Sequence, residues 1–452
     1  LKGFCTIITT KSNQKAIKMY LTIRQKFTIS FSLSVLWAVI SYFAAFPWIA
    51  QLTQLTNYTL AILIIFGIAI IPGAMNAFLV FSLLFDKRPK RNTQIENYPP
   101  ITILIAAYNE GQNITSTIDS IGRQHYPGEL RVIVINDGSK DDTKQKVELA
   151  CAKYSWLELL DIHPNGGKSN ALNQALKLVK TELFITIDGD SYLFKNALIH
   201  IVQRYLSDPS DTVAVAGAVL VRNSRKNFVT KIQEWDYFLG IASIKRLQSL
   251  YHGTLVAQGA FSLYRTDVIK QIGGWDECVG EDIVLTWAML KLNYRVGFAE
   301  DACLFTNAPE TWKQFFKQRQ RWSRGLIEAF KRHYKLLFHK RYTTLFIWWN
   351  LFFPYLDLVY TFAFIPGVIL AFFGYFWIAG PMTLVLLPLT FLINYIMYNI
   401  QAKMFRAQRL KVRSNFGGFI LYALFYGVIL QPASVVGYIK EVLNLKKNWG
   451  TK

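Results

Sequence analysis

Acidic residues are scarce in this chain of 452 residues: 29 Asp and Glu stand against 50 Lys and Arg, a formal net charge of +21. Charge of either sign is thin as well, 17% of residues against about 25% in ordinary soluble domains, while apolar residues reach 52%. That balance excludes an evenly solvated globule. A cationic surplus can signal nucleic acid, but here Lys and Arg cluster beside long apolar runs, where cytoplasmic flanks and anionic lipid headgroups place them. No nucleic-acid partner is expected. The four cysteines (Cys5, Cys151, Cys278 and Cys303) form no CxxC pair, so neither a zinc site nor a disulfide framework is indicated. No complete phosphate loop joins a strand to a helix and there is no GxGxxG, which argues against a Walker NTPase or a dinucleotide enzyme.

What the chain has instead is apolar ends around a more polar middle. Residues 1–27 are basic, with Lys11, Lys15, Lys18, Arg24 and Lys26, and are too long for the n-region of a cleaved signal peptide. The chain begins at Leu1 rather than Met, and its natural start is left open. Two membrane spans are expected within 28–85: Thr28 to Ala50, then Tyr58 to Phe85, closed by Asp86-Lys87-Arg88-Pro89-Lys90-Arg91. Basic flanks before the first span and after the second put the middle domain in the cytoplasm. Apolar character returns over 345–439, read as about three spans: Leu358 to Ala379, Thr383 to Ile400, and Phe416 to Ile439. A basic loop follows the second of these, with Lys403, Arg406, Arg409, Lys411 and Arg413, and the tail 440–452 carries Lys446 and Lys447. Three spans would leave that basic tail outside. Either Leu345 to Phe353 completes another crossing or the last stretch is re-entrant.

The middle domain, 99–339, alternates strand, polar turn and helix. Apolar runs at Ile101–Ala107, Leu130–Ile135 and Glu182–Ile187 end at Tyr108-Asn109-Glu110, Asn136-Asp137-Gly138-Ser139 and Asp188-Gly189-Asp190. The alternation predicts an α/β fold with a mostly parallel sheet covered by helices. Ligands of such sheets bind beyond the carboxyl ends of the strands, where Glu110, Asp137, Asp188 and Asp190 stand. Two carboxylates spaced as Asp-x-Asp can hold one hard cation, Mg²⁺ or Mn²⁺, and through it a diphosphate, although most Asp-rich turns bind nothing. Gly166-Gly167 precede a helix that opens with Lys168, a candidate anion contact. Gly280-Glu281-Asp282 fronts an apolar helix, where a carboxylate can also serve only the helix N-terminus. Gln318-Arg319-Gln320-Arg321-Trp322 lies in a basic, aromatic stretch over 312–334 that reads as a helix at the membrane surface.

Asp137-Gly138-Ser139, Asp188-Gly189-Asp190, Glu281-Asp282 and Gln318-x-x-Arg321-Trp322, in this order between membrane segments, resemble the processive family 2 glycosyltransferases. That group holds the cellulose, chitin, hyaluronan and poly-N-acetylglucosamine synthases. The likeness extends to the bacterial poly-β-1,6-N-acetylglucosamine synthases in two leading spans and in Lys231-Ile232-Gln233 and Ile244-Lys245-Arg246. The resemblance implies a GT-A nucleotide-sugar domain embedded between transmembrane helices of a bacterial cell membrane. It implies inverting, processive transfer from a UDP-sugar, UDP-N-acetylglucosamine first, to a growing polysaccharide, with coupled export and a possible need for a small accessory membrane subunit. By the same resemblance Tyr108, Glu110, Asp137 and Lys168 hold the uridine end of the donor, and Asp188 and Asp190 bind the diphosphate through the metal. Asp282, beside Glu281, is the general base; Gln318, Arg321 and Trp322 hold the pyrophosphate and the acceptor sugar.

Two departures stand out. Gly280 replaces the Thr usual before Glu-Asp, which removes a hydroxyl and is expected to loosen the turn. Val219-Leu220 replaces a Pro-Arg pair, which leaves the identity of the sugar and linkage open. A hyaluronan- or chitin-like synthase, or a transferase adding a single sugar to a lipid or glycan, remains an alternative. A transporter or scaffold with a degenerate enzyme domain would lack a key carboxylate, and none is missing.

Overall fold

A computed structural model describes residues 21–86, 91–410 and 415–446. Cys5 and the flanking cations Lys11, Lys15, Lys18, Lys87, Arg88, Lys90, Lys411, Arg413 and Lys447 lie outside the described residues.

The middle of the chain folds around one eight-stranded sheet: β1 (Ile101–Ala107), β2 (Leu130–Asp137), β3 (Leu157–Ile162), β4 (Leu183–Asp188), β5 (Tyr192–Leu193), β6 (Thr212–Val221), β7 (Phe261–Arg265) and β8 (Arg295–Thr306). Their order is β3-β2-β1-β4-β7-β6-β8-β5. The first four strands in that order are mutually parallel, which follows from the helix that separates each from the next in sequence. β7 is the exception: it runs antiparallel between β4 and β6, and β5 runs antiparallel to β8, so the sheet is mixed. Ile103, Ile105, Val132 and Val134 on one face and Leu104, Ile133 and Ile135 on the other are fully or almost fully buried, because both sheet faces are covered.

Among the described residues four helices are long and apolar enough to cross a membrane: Ile23–Ala44, Tyr58–Leu84, Thr343–Phe372 and Phe416–Val442. Pro381–Ala407 is a fifth long helix of the same region. The first helix stops at Ala44 instead of running to Ala50, because Pro47 in the first turn of a new short helix, Phe46–Leu55, breaks the chain there. Leu345 to Phe353 is no separate crossing. It belongs to the continuous helical stretch Thr343–Phe372, which absorbs Pro354 and a π-turn over Tyr360–Phe364.

The ends of these helices sort into two groups. Phe27 packs on Tyr251, Ser82 bonds Tyr251, Arg341 donates to the Tyr294 carbonyl, and Gln401 donates to the Phe238 carbonyl. These contacts tie one end of each of four helices to the sheet domain. At the opposite ends Trp48 donates to the carbonyl of Trp377. Phe416–Val442 differs, since both its ends return to the sheet domain and its helices. Asn415, its N-cap, bonds Glu234 and accepts from Trp235, and Glu441 pairs with Arg324 and Lys331. The helix lies along Trp312–His333, with Tyr426 on Phe315 and Gly437 against Ser323, and leaves Phe425, Val442 and Leu443 exposed.

Candidate active site

The carboxyl ends of β3, β2, β1 and β4 form one edge, fixed by the pairs Ala107↔Asn136, Asp137↔Ile162 and Ala106↔Asp188. All acidic turns predicted from sequence therefore open on the same side. Tyr108 stands exposed there. Asn109 takes a left-handed φ of 55, and its side chain accepts from the Lys140 amide. Glu110 packs against Gly189 and accepts from Asn113.

Asp137 is 3% exposed, and its carboxylate is given over to the glycine loop. It accepts from the amides of Gly166 (2.9 Å) and Gly167 (2.8 Å) and from the Asn165 side chain (2.8 Å). Gly167 is left-handed at φ 86 and leads straight into the helix Lys168–Leu178. The loop thus delivers Lys168 to the next strand end, where its ammonium lies 2.5 Å from Asp188 and 3.7 Å from Glu281. Gly259 backs this contact, since a Cβ there would meet the Lys168 ammonium at 2.9 Å. Burial works against the Lys168 charge, but Asp188 and Glu281 outweigh it and hold the amine above the usual lysine range.

Glu281 and Asp282 open the helix Glu281–Lys291. Burial pushes Glu281 up to about 7, with Lys168 pulling the other way and Asp282 adding to the rise. Asp282 is less enclosed and accepts from the Ile283 amide at 2.8 Å. Gly280 keeps an ordinary φ of −102, so the backbone does not call for glycine. A neighbour does: a Cβ on Gly280 would stand 2.4 Å from the Cα of Gly325. The Gly280 amide then donates to Glu328 at 2.9 Å. The expectation of a loosened turn is thereby corrected, because glycine here lets two helices meet backbone to backbone.

That second helix, Trp312–His333, carries Gln318, Arg321 and Trp322. Gln318 is buried close to Tyr237, while Arg321 lies within the field of Glu281. Trp322 is 39% exposed; Arg319 covers one face at 4.1 Å from the ring centroid, and Tyr237 lies 6.4 Å away. Arg319 is itself buried and bonded to Asp236 at 2.8 Å. Lys168, Asp188, Glu281, Asp282 and Arg321 are thus brought together, with Gln318 and Trp322 flanking them. Asp190 lies beyond Gly189, 3.4 Å from Thr306. Val219 and Leu220 belong to β6, with Leu220 buried. Sequence reading assigned no role to Asn165, Asp236, Arg319 or Glu328. Their partners are remote in sequence, so no local pattern marks them.

Among the described residues no group of three or more His, Cys, Asp and Glu converges as a metal cage. Asp188 and Asp190 as a pair still fit Mg²⁺ or Mn²⁺, which typically take one or two carboxylates and fill their remaining positions with phosphate and water.

Comparison with known proteins agrees with this geometry. Residues 99–325, just over half of the chain, match the family described as glycosyltransferase like family 2. The poly-beta-1,6-N-acetyl-D-glucosamine synthase of Staphylococcus epidermidis is 29% identical over 279 residues, 62% of this chain and 67% of that protein. The synthase of the same name from Staphylococcus aureus strain COL is 28% identical over 282 residues, 62% of this chain and 68% of that protein. The mannosyltransferase of Pyrobaculum calidifontis, solved with GDP-Man and Mn²⁺, superposes with a TM-score of 0.55 at 17% identity, over 88% of this chain and 100% of that one. The mixed sheet is the GT-A fold, and the chain belongs to glycosyltransferase family 2.

Proposed function

We propose that this enzyme is an inverting, processive polymerase that moves N-acetylglucosamine from UDP-N-acetylglucosamine to the end of a growing polysaccharide. It works at the cytoplasmic face of the membrane and feeds the product across. The observation that carries the reading is the close set Lys168, Asp188, Glu281 and Asp282 beside the helix of Gln318, Arg321 and Trp322. Inversion needs one in-line displacement, hence one base and one stabilised leaving group. Asp282 takes the proton of the acceptor hydroxyl as that oxygen bonds to the anomeric carbon. UDP departs from the opposite side, toward Lys168 and Arg321, which offset its growing charge. Asp188 and Asp190 would hold a divalent cation, which would supply further charge neutralisation at the diphosphate. The open face of Trp322 suits a pyranose ring. The sugar and the polymeric product rest on the likeness to the staphylococcal synthases.

The test is UDP release by the purified chain over a panel of UDP-sugars, with sizing of the labelled product. Release confined to UDP-N-acetylglucosamine with long product supports the reading. A single added sugar would make the enzyme non-processive, and preference for another UDP-sugar would replace the donor.

A further inference from the structure

Phe315, Arg319 and Trp322 stand four and then three residues apart on the helix Trp312–His333, so they share one face. On that face the Arg319 guanidinium is packed among rings. Its central carbon lies 4.1 Å from the centroid of Trp322, 4.8 Å from that of Phe315 and 5.7 Å from that of Tyr426 on the last helix. Its charge is answered by Asp236 at 2.8 Å, and both side chains are buried. Asp236 opens the π-turn Asp236–Ile241, and the next residue, Tyr237, lies 6.4 Å from Trp322. π-turns inside helices frequently accompany functional sites. Here two consecutive residues reach the same turn of the facing helix.

Such a pair is a poor source of stability. Taking a guanidinium and a carboxylate out of water offsets much of their attraction, and apolar side chains of similar volume would join the helices at least as well. The Arg319 Nε, although buried, has no hydrogen-bond partner among the described residues. What an apolar replacement could not supply is direction. A planar guanidinium held by a carboxylate is a rigid plate, and such plates stack on aromatic faces. Arg319 covers one face of the Trp322 indole, while 39% of the residue stays open. An indole free to turn about its side-chain torsions would offer either face; with one face covered, the other alone is left for a ligand.

We infer that Arg319 and Asp236 are positioning residues that fix the Trp322 ring, so that the terminal acceptor sugar meets one indole face in one orientation. The inference rests on the proposed transfer reaction, in which Trp322 carries that sugar. Neither residue makes a bond or moves a proton. Orientation counts because the attacking hydroxyl must lie in line with the departing UDP.

The experiment uses the full chain in detergent, with a short N-acetylglucosamine oligomer as acceptor probe. Arg319→Met alone would strand Asp236 as an unpaired buried charge, so the pair is exchanged together, Arg319→Met with Asp236→Leu. The thermal midpoint should hold or rise and KM for UDP-N-acetylglucosamine should stay within about twofold, while KM for the oligomer rises about fivefold or more. In a Trp322→Ala background the same exchange should move the oligomer KM by less than about twofold, because the pair acts through the ring. An unchanged oligomer KM in the first comparison overturns the inference, and so does a rise that survives the loss of Trp322. A lowered midpoint with both constants worsening together also overturns it. A fluorine spectrum of the chain labelled with fluorotryptophan reads the ring without turnover, the Trp322 signal being identified by its loss in Trp322→Phe. The pair exchange should shift that signal toward the value of free fluorotryptophan while the other tryptophan signals stay; no shift overturns the inference. Absence of UDP release from any UDP-sugar would instead sink the transfer reading, and the fluorine signal would then judge the pair by itself.

Discussion

Asp282 and Glu281 are adjacent carboxylates with different surroundings, and that difference assigns their work. Glu281 is enclosed, pushed up to about 7 by burial and set against Lys168, which suits a group that positions the lysine. Asp282 is less buried, which suits a base. Asp282→Asn preserves shape and hydrogen bonding but cannot take the proton. Transfer should fall by about a hundredfold while UDP still binds, and near-normal turnover would remove Asp282 from the role. The metal reading is tested at the neighbouring strand end. Activity should vanish with EDTA and return with Mg²⁺ or Mn²⁺, and Asp190→Ala should match the chelated enzyme. Full activity in excess chelator would leave Lys168 as the cation at Asp188 and overturn the metal assignment.

At the scale of elements, what was legible depended on how local the cause is. β1, β2 and β4 could be read because runs such as Ile103-Leu104-Ile105 and Val132-Ile133-Val134 are buried on both faces and end in polar turns. β7 could not be oriented, since apolar alternation carries no information about strand direction. The role of Asp137 was equally hidden: its partners at Gly166 and Gly167 come from a loop that folds back across the strand ends. Gly280 shows the same limit most sharply, because its cause is Gly325 on another helix. Gly280→Thr restores the residue usual in the family but drives a side chain into that backbone contact. It should destabilise the chain by about 1–3 kcal/mol, the usual cost of overpacking, and lower transfer more than UDP binding as Asp282 shifts relative to Arg321. Thermal unfolding and donor and acceptor kinetics on the one variant check this. A Thr variant with wild-type stability and rate would mean that the helix pair is not held by the glycine contact.

The whole molecule turns on how many helices cross the membrane. Composition alone admits Phe416–Val442 as a crossing, which, if Pro381–Ala407 also crosses, would leave the basic tail on the far side. Its packing argues otherwise. Asn415 at one end is bonded to Glu234 and Glu441 at the other to Arg324, so both ends stay with the catalytic domain. We propose that the helix lies along the membrane surface: Phe425, Val442 and Leu443 are exposed and would face lipid, while the opposite side covers Trp312–His333. We propose that Ile23–Ala44, Tyr58–Leu84 and Thr343–Phe372 cross and that Pro381–Ala407, the fifth long helix, crosses with them; that even number would return the basic tail to the side of the other cations. Single cysteines at Lys446 and at Tyr375, placed in a cysteine-free background, distinguish the two arrangements. In sealed vesicles with the catalytic domain outside, a membrane-impermeant maleimide should label Lys446→Cys and spare Tyr375→Cys until detergent is added. Protection of Lys446→Cys would make the last helix a true crossing. It would also require Arg324 and Glu441 to part, because a crossing helix cannot keep both its ends on one catalytic domain.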